Sequence, residues 1–432
     1  MVIMDFSKSI ELLNKTMPIT PIAAQTYSKS YRYFYQNYGP FFMKKGKGSK
    51  LMDIDSNKFT DFICSLGAIT LGYNHKSTNN AIKKQLKKGI LFSTQSDLEF
   101  QLAELLTHHI PGCETVRFVK NGSDATSSAI RLARAYTGKD IILMSGYHGM
   151  DDWSIGSTSN NNGVPKRVRV LTKTFEYNNL PDLEKLLEEN TNKVAGVILE
   201  PIQGNGPKEN YLSDLKKLVH KHKAILIFDE VVSGFRYALG GASELYNVVP
   251  DLAAYGKGIA NGMPLSFVSG RREIMKLIEE NVFVSTTFGG ETLSLSAALA
   301  TIKYMIKQKT QKHFWELGEQ LQSGLKKLVL DFKFESFIDL YGLPPRNGFI
   351  FKPFNNQEAL VYQTMYQKLM LEKGILTLGV NNLMHSHTSK DINRFLTHTK
   401  DVFNIMKSSI EKNEFNDYEQ SKLMNPIFQR NK

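Results

Sequence analysis

The 432 residues, 48.9 kDa in all, exceed what one compact core usually holds, so two lobes or one large domain with a satellite are expected. Hydrophobic residues at 41% and charged residues at 22% are ordinary globular usage and exclude wholesale disorder, and no run approaches the ~20 apolar residues of a membrane-spanning helix. Lys plus Arg number 54 against 42 Asp plus Glu, a formal charge of +12, which admits nucleic acid, a membrane surface or an anionic small molecule as partner. The lysines are scattered, however. Those at Lys83, Lys84, Lys87 and Lys88, and at Lys216, Lys217, Lys221 and Lys223, recur at helical spacing, as solvated helix faces do. Neither nucleic acid nor membrane is therefore expected as a partner. The opening MVIMDFSKSIELLNK carries Asp5 and no long apolar core, so it does not read as a secretory leader. Two cysteines, Cys64 and Cys113, make neither a disulfide framework nor a CxxC metal pair, and a reducing, cytoplasmic setting is expected.

Residues 41–63 read as a small antiparallel unit: FFMKK, a Gly46–Gly48 turn, KLMDI, a Ser56–Asn57 turn and KFTDFI. Helices are expected at 76–88 and 97–109, the second stopped by Pro111-Gly112. Strand and helix then alternate. VRFVK (116–120) precedes a helix at 123–137 with Gly138 past its end; IILMS (141–145) is strand-like; VAGVILE (194–200) precedes a helix near 213–223 opened by Ser213. AILIFDEVV (224–232) is apolar almost throughout, as a central parallel strand is. LSFVSG (265–270) and helices at 271–280 and 294–308 follow. After about 310 come a long amphipathic helix, the strand GFIFKPF, another helix, GILTLG and a last helix at 389–412. The alternation predicts an α/β fold with a mostly parallel central sheet flanked by helices over 76–310. A smaller α+β lobe is expected from 1–75 and 311–415, and a polar tail over 416–432.

Ligands of open parallel sheets bind beyond the carboxyl ends of the strands. Four segments fall there. In Asn121-Gly122-Ser123-Asp124, Gly122 allows close backbone approach, and the following helix offers its N-terminal N–H groups to a phosphate; a plain Ser123 cap is the alternative. Tyr147-His148 follows IILMS, with an aromatic able to stack on a flat ring and a group that titrates near neutrality; a structural loop pair is the alternative. Asp229 closes a buried strand and needs a metal, an arginine such as Arg236, or a protonated ring nitrogen. Lys257 stands between Gly256 and Gly258, and a desolvated lysine is a nucleophile toward carbonyl carbon. Anion seat, stacking aromatic, strand-end carboxylate and lysine together match what pyridoxal phosphate requires. His385 and His387 alternate but find no third ligand, so no metal is expected.

The stretches FVKNGSDATSSAIRLARAYTG (118–138), SGYHG (145–149), VILEPI (197–202), LIFDEVVSGFRYALGG (226–241), PDLAAYGKGIANGMPLS (250–266) and STTFGG (285–290) resemble, in order, those of class III pyridoxal-phosphate aminotransferases. Among these, the glutamate-1-semialdehyde 2,1-aminomutase-like members are the most similar. The resemblance implies the type I pyridoxal-phosphate transferase fold, with the cofactor on the large domain. It implies that Lys257 holds the cofactor as a Schiff base and shuttles protons, and that Asp229 pairs with the ring nitrogen. Val231 and Tyr147 would pack on the two ring faces, His148 would stand beside the cofactor, and Gly122 and Ser123 would hold the phosphate. Thr287 would reach the phosphate across a homodimer interface, and Glu200 would stand near the substrate entrance.

Two departures bear on activity. Glu291 stands where the family often has Asn, and the 150–165 segment is shorter than the aminomutase loop and differs in sequence. The expectation is therefore transamination between an amino donor, glutamate, and an aldehyde or ketone acceptor, which the basic surface would allow to be phosphorylated or sugar-like. The internal amino shift of the aminomutase is the alternative.

Overall fold

The computed structural model describes residues 4–35, 38–415 and 418. The polar tail expected over 416–432 lies outside them, Tyr418 apart. The chain divides into two compact units: residues up to His75 together with those from Lys312 onward, and Lys76–Gln311.

In the first unit, β1 (Met43–Lys47), β2 (Lys50–Asp53) and β3 (Lys58–Asp61) run antiparallel in succession. The first turn falls later than expected. Gly46 stays within β1 opposite Leu51, where a Cβ would come within 2.7 Å of the Tyr73 ring, and Gly48 makes the reversal at φ 58°.

The larger unit holds β4 (Thr115–Val119), β5 (Ile141–Ser145), β6 (Thr172–Thr174), β7 (Val194–Leu199), β8 (Ile225–Asp229), β9 (Leu252–Tyr255) and β10 (Ser266–Gly270). They form one sheet in the order β4-β10-β9-β8-β7-β5-β6. Every residue of β7 and β8 is buried, which is why both read as unbroken apolar runs. Only β10 runs against its neighbours. It follows β9 through a short connection with no crossover helix, and such a return is antiparallel. Because β10 lies between β4 and β9, β4 points the same way as the other five strands. The helix Gly122–Thr137 buries Ala125, Ala129, Ile130, Leu132 and Ala133 and stops at Gly138 in the left-handed conformation.

Three helical details differ from expectation. The helix expected from Ser213 begins at Tyr211, and the Ser213 hydroxyl donates back to the Asn210 carbonyl. The 271–280 helix is two short turns, Arg272–Met275 and Leu277–Glu280. A further helix, Leu180–Glu189, is capped by the Asn179 side chain on the Asp182 N–H.

The first unit is completed by β11 (Ile338–Leu343), β12 (Arg346–Phe351), β13 (Ile375–Leu376) and β14 (Val380–Asn382). The order β11-β12-β14 forms one sheet, and β13 adds to β3 in parallel. Helices Thr310–Phe332, Ala359–Glu372 and Ser389–Lys412 supply its core, with Leu321, Tyr366 and Phe403 among the residues buried there. Among the described residues no helix is long and apolar enough to cross a membrane, and no cluster of three or more His, Cys, Asp or Glu could hold a metal ion.

His387 has another use. Its ring stacks on Phe62, accepts the Met384 N–H at Nδ1 and donates from Nε2 to the Asp61 carbonyl, so it is held neutral. Burial pushes its pKa down to about 4. The Asp61 carboxyl is pushed up to about 6 by burial, against the opposing pull of the Tyr73 hydroxyl and the Ile63 and Cys64 N–H groups. The two shifts have opposite consequences. The unfolded chain takes up a proton on His387 between its ordinary 6.5 and the folded value of about 4, so this group's stabilisation is present above 6.5 and lost as the pH falls. Asp61 holds its proton in the fold between its ordinary 3.8 and about 6, so its stabilisation is lost as the pH rises through that interval. Urea midpoints measured from pH 7 to pH 4 should fall more steeply for Asp61→Asn than for the parent and less steeply for His387→Gln. Three parallel curves would contradict both assignments.

Candidate active site

Since β4 to β9 all run one way, the ends of β4, β5, β7, β8 and β9 share the carboxyl edge of the sheet. Asp229 closes β8 and is 4% exposed. A carboxylate so desolvated needs partners. Its Oδ1 accepts the Val231 N–H at 3.0 Å, and its Oδ2 lies 2.8 Å from His148 Nδ1. His148 follows β5; the residue is 2% exposed, and its ring stacks on Trp153 at an interplanar angle of 12°. The other ring nitrogen, Nε2, faces the Ser145 carbonyl at 3.2 Å. A carbonyl only accepts, so Nε2 carries hydrogen, and the contact at Nδ1 requires one further proton shared with Asp229. His148 thus reaches the site through the Asp229 carboxylate, a role the sequence reading did not separate from direct contact.

Val231 stands against two of the expected backbone contacts. A Cβ on Gly122 would approach its methyls at 3.0 and 3.1 Å, and one on Gly256 would lie 3.5 Å away. Ser123 accepts the Met150 N–H on its hydroxyl, and a Cβ on Gly149 would sit 2.4 Å from that oxygen. The Asp124 carboxylate accepts the Lys120 and Asn121 N–H groups, fixing the turn into the helix. The positive end of the Gly122–Thr137 helix therefore opens at this edge beside a hydroxyl and bare backbone, which is the chemistry of a phosphate seat.

Lys257 lies just past β9, whose Ala254 pairs with Asp229, and it opens a short 3-10 turn at φ 36°. Such a backbone is unusual for a residue with a side chain and marks functional positions more often than others. Tyr147 is about half exposed, and burial together with the charges of Asp151 and Asp229 pushes its phenol pKa up. Glu200 Oε1 accepts the Tyr147 N–H at 3.4 Å. Lys257, Asp229, Val231, Gly122, Ser123, Tyr147, His148 and Glu200 are thus brought to one edge of one sheet. Thr287 is itself exposed, in the turn at 287–290.

Two polar residues were not singled out in the sequence. Gln203 donates to the Ser145 carbonyl at 2.9 Å, the oxygen that His148 also faces. Ser127 bonds the Asp151 carboxylate and accepts the Trp153 indole N–H at 2.8 Å. Their only signal was a polar residue near a strand end or on the sheet-facing side of a helix, and many residues share it.

The chain belongs to the class III aminotransferases, whose family profile (Aminotransferase class-III) matches residues 33–380, and it is an enzyme that uses pyridoxal phosphate. It is 40% identical over 311 residues to a glutamate-1-semialdehyde 2,1-aminomutase of Thermosipho melanesiensis, covering 68% of this chain and 74% of that protein. It is 35% identical over 330 residues to a 3-aminobutyryl-CoA aminotransferase of Cloacimonas acidaminovorans, covering 75% and 79%. Its fold is that of a solved transaminase with pyridoxal phosphate bound, with a TM-score of 0.87 at 22% identity over 94% of this chain and 100% of the other. The expected fold class, a type I transferase fold with a mostly parallel sheet, is the one found.

The shared proton has a direct readout. The parent should show a low-field imidazole N–H resonance in proton NMR that is lost in both His148→Gln and Asp229→Ala. Its persistence in either variant would mean that the bond at Nδ1 is not the one described.

Proposed function

We propose that this chain is an aminotransferase that moves an amino group from glutamate to an aldehyde or ketone acceptor. When bound, pyridoxal phosphate supplies an electron sink for the charge left when a proton is removed beside nitrogen. The residues fit it. Asp229 would hold a proton on the ring nitrogen, since a nearby opposite charge favours the charged form, and His148 would hold Asp229 in place. Val231 and Tyr147 would clasp the ring from either side, and Gly122, Ser123 and the helix N-terminus would seat the phosphate. The Lys257 amine would bind the cofactor covalently and, once released, carry a proton at Nζ. Positioned proton transfer of this kind contributes about 10²–10⁴-fold. Glu200 would border the substrate entrance.

The observation that carries transamination over the internal shift is the anchored segment after His148. Exchange within one bound substrate requires holding it until both nitrogens have changed places, a task suited to a closing loop. Here Trp153 and Ser154 are buried, Ser127 bonds both Asp151 and Trp153, and Arg169 donates to the carbonyls of Val164 and Asn161 at 2.8 and 2.7 Å. The start of the segment, through Ser154, is thus built into the large unit, while Ser159, Asn160, Asn162 and Gly163 stay exposed. The acceptor is taken to be anionic or sugar-like, in keeping with the basic surface and the 35% identical coenzyme A-linked aminotransferase. The aminomutase relatives favour the second reading, conversion of glutamate-1-semialdehyde to 5-aminolevulinate.

A homodimer is part of the proposal. Phe100, Phe283 and Phe288 are each more than half exposed, with Leu86, Ile90 and Phe92 also exposed, all on the larger unit, and Phe288 adjoins Thr287. Burying these residues against a second copy would leave Thr287, beside Phe288, to reach the partner's phosphate seat. The two buried thiols, Cys64 and Cys113, are not joined in a disulfide and suit a cytoplasmic setting.

Glutamate added to the cofactor-loaded chain should bleach its visible band and release 2-oxoglutarate. Borohydride followed by peptide mapping should fix the cofactor to Lys257. Lys257→Ala should bind it only reversibly and lose at least about 10²-fold in turnover. Formation of 5-aminolevulinate from glutamate-1-semialdehyde with no second substrate would replace transamination by the internal shift.

A further inference from the structure

Glu291, at a position where the family often has Asn, does not stand alone. Its Oε2 lies 3.0 Å from the Lys120 ammonium, and the two side chains are only 16% (Lys120) and 11% (Glu291) exposed. Lys120 also donates to the Pro264 carbonyl at 3.1 Å. Glu291 in turn caps the helix Thr292–Gln308, accepting the Leu293 N–H at 2.6 Å and the Ser294 N–H at 3.2 Å. Burial works against its charge, but hydrogen bonding from Ser294 and Lys120 outweighs that and holds the carboxyl below the usual range.

Each partner adjoins one half of the expected phosphate machinery. Lys120 directly precedes Asn121-Gly122-Ser123, and its own N–H is held by Asp124 with that of Asn121. Glu291 directly follows the Thr286–Gly290 turn. That turn lies on β4, since a Cβ on Gly289 would come within 2.8 Å of the Phe118 carbonyl. The Glu291 N–H closes on Phe288, and Thr292 is moored to the Ile90 carbonyl at 2.9 Å. The ion pair is thus a side-chain bond between the residue before the seat and the residue after the turn that bears Thr287.

We propose that Lys120 and Glu291 are positioning residues that lock the Gly122–Ser123 seat to the Thr287 turn, so that cofactor binding and subunit association depend on one partly buried ion pair. The proposal rests on the cofactor reading above. Removing one member leaves the other a desolvated charge, which costs more than removing both.

The test titrates the apo chain with pyridoxal phosphate and measures its dimer dissociation constant by sedimentation. Glu291→Asn keeps a capping side chain and removes the charge; Lys120→Met keeps the stem and leaves the Glu291 cap in place. Each should raise the cofactor dissociation constant at least about tenfold and weaken the dimer. Lys120→Met/Glu291→Asn should recover part of the loss, and Lys120→Arg should restore the parent value. A purely structural pair would lower the melting temperature of the single variants and leave cofactor affinity within about twofold of the parent; that result overturns the proposal. Should Glu291→Asn fail to fold, Lys120→Met is read by the same criterion. Failure of the unaltered chain to take up pyridoxal phosphate would instead defeat the functional reading itself.

Discussion

The larger unit is organised around a carboxylate placed where solvation is poor. Asp229 ends a strand buried throughout, and its charge is tolerable because the Val231 N–H and the His148 imidazole are fixed beside it. That requirement propagates outward. His148 is held by the Ser145 carbonyl and stacked on Trp153; Trp153 is held by Ser127, which also bonds Asp151. A chain of partners thus runs from the end of β8 through the loop after β5 to the helix that begins at Gly122. The same helix offers its N-terminus to an anion. The groups that would grip the two ends of the cofactor are parts of one hydrogen-bonded assembly.

Sheet topology supplies the other constraint. The antiparallel β10 separates β4 from β9 and still leaves β4 aligned with the rest. Because β10 runs against both neighbours, the Asn121–Ser123 turn leaves from the same edge as Asp229 and Lys257. The short connection after β9 therefore does two things: it presents Lys257 in a left-handed backbone, and it returns the chain to flank β4.

Legibility in the sequence followed the physics of each signal. VAGVIL and ILIF read as buried parallel strands because two-sided burial leaves no polar residue to interrupt them. The 97–109 helix was legible from the Pro111-Gly112 stop, and Ser96 and Glu99 form the capping box at its start. Asp229 and Lys257 stood out as charges in apolar or glycine-rich surroundings. What was hidden depends on pairing across long sequence separations. The direction of β10, the placing of Gly46 inside β1 against Tyr73, and the bond from Lys120 to Glu291 leave no local trace. His148 was seen as a titratable group, but its second acceptor is a backbone carbonyl, and side-chain patterns do not encode that. Ser213 misled because a hydroxyl one turn into a helix can bond a preceding carbonyl as well as cap.

The stack of Trp153 on His148 has an optical consequence. The chain has two tryptophans, and Trp315 belongs to the other unit. The indole beside the Asp229–His148 pair therefore belongs to one unit and the second indole to the other. Trp315→Phe would leave the emission of the indole stacked on the His148 imidazole, and Trp153→Phe would leave that of the other unit. Intrinsic fluorescence can thereby follow each half of the molecule with no added label.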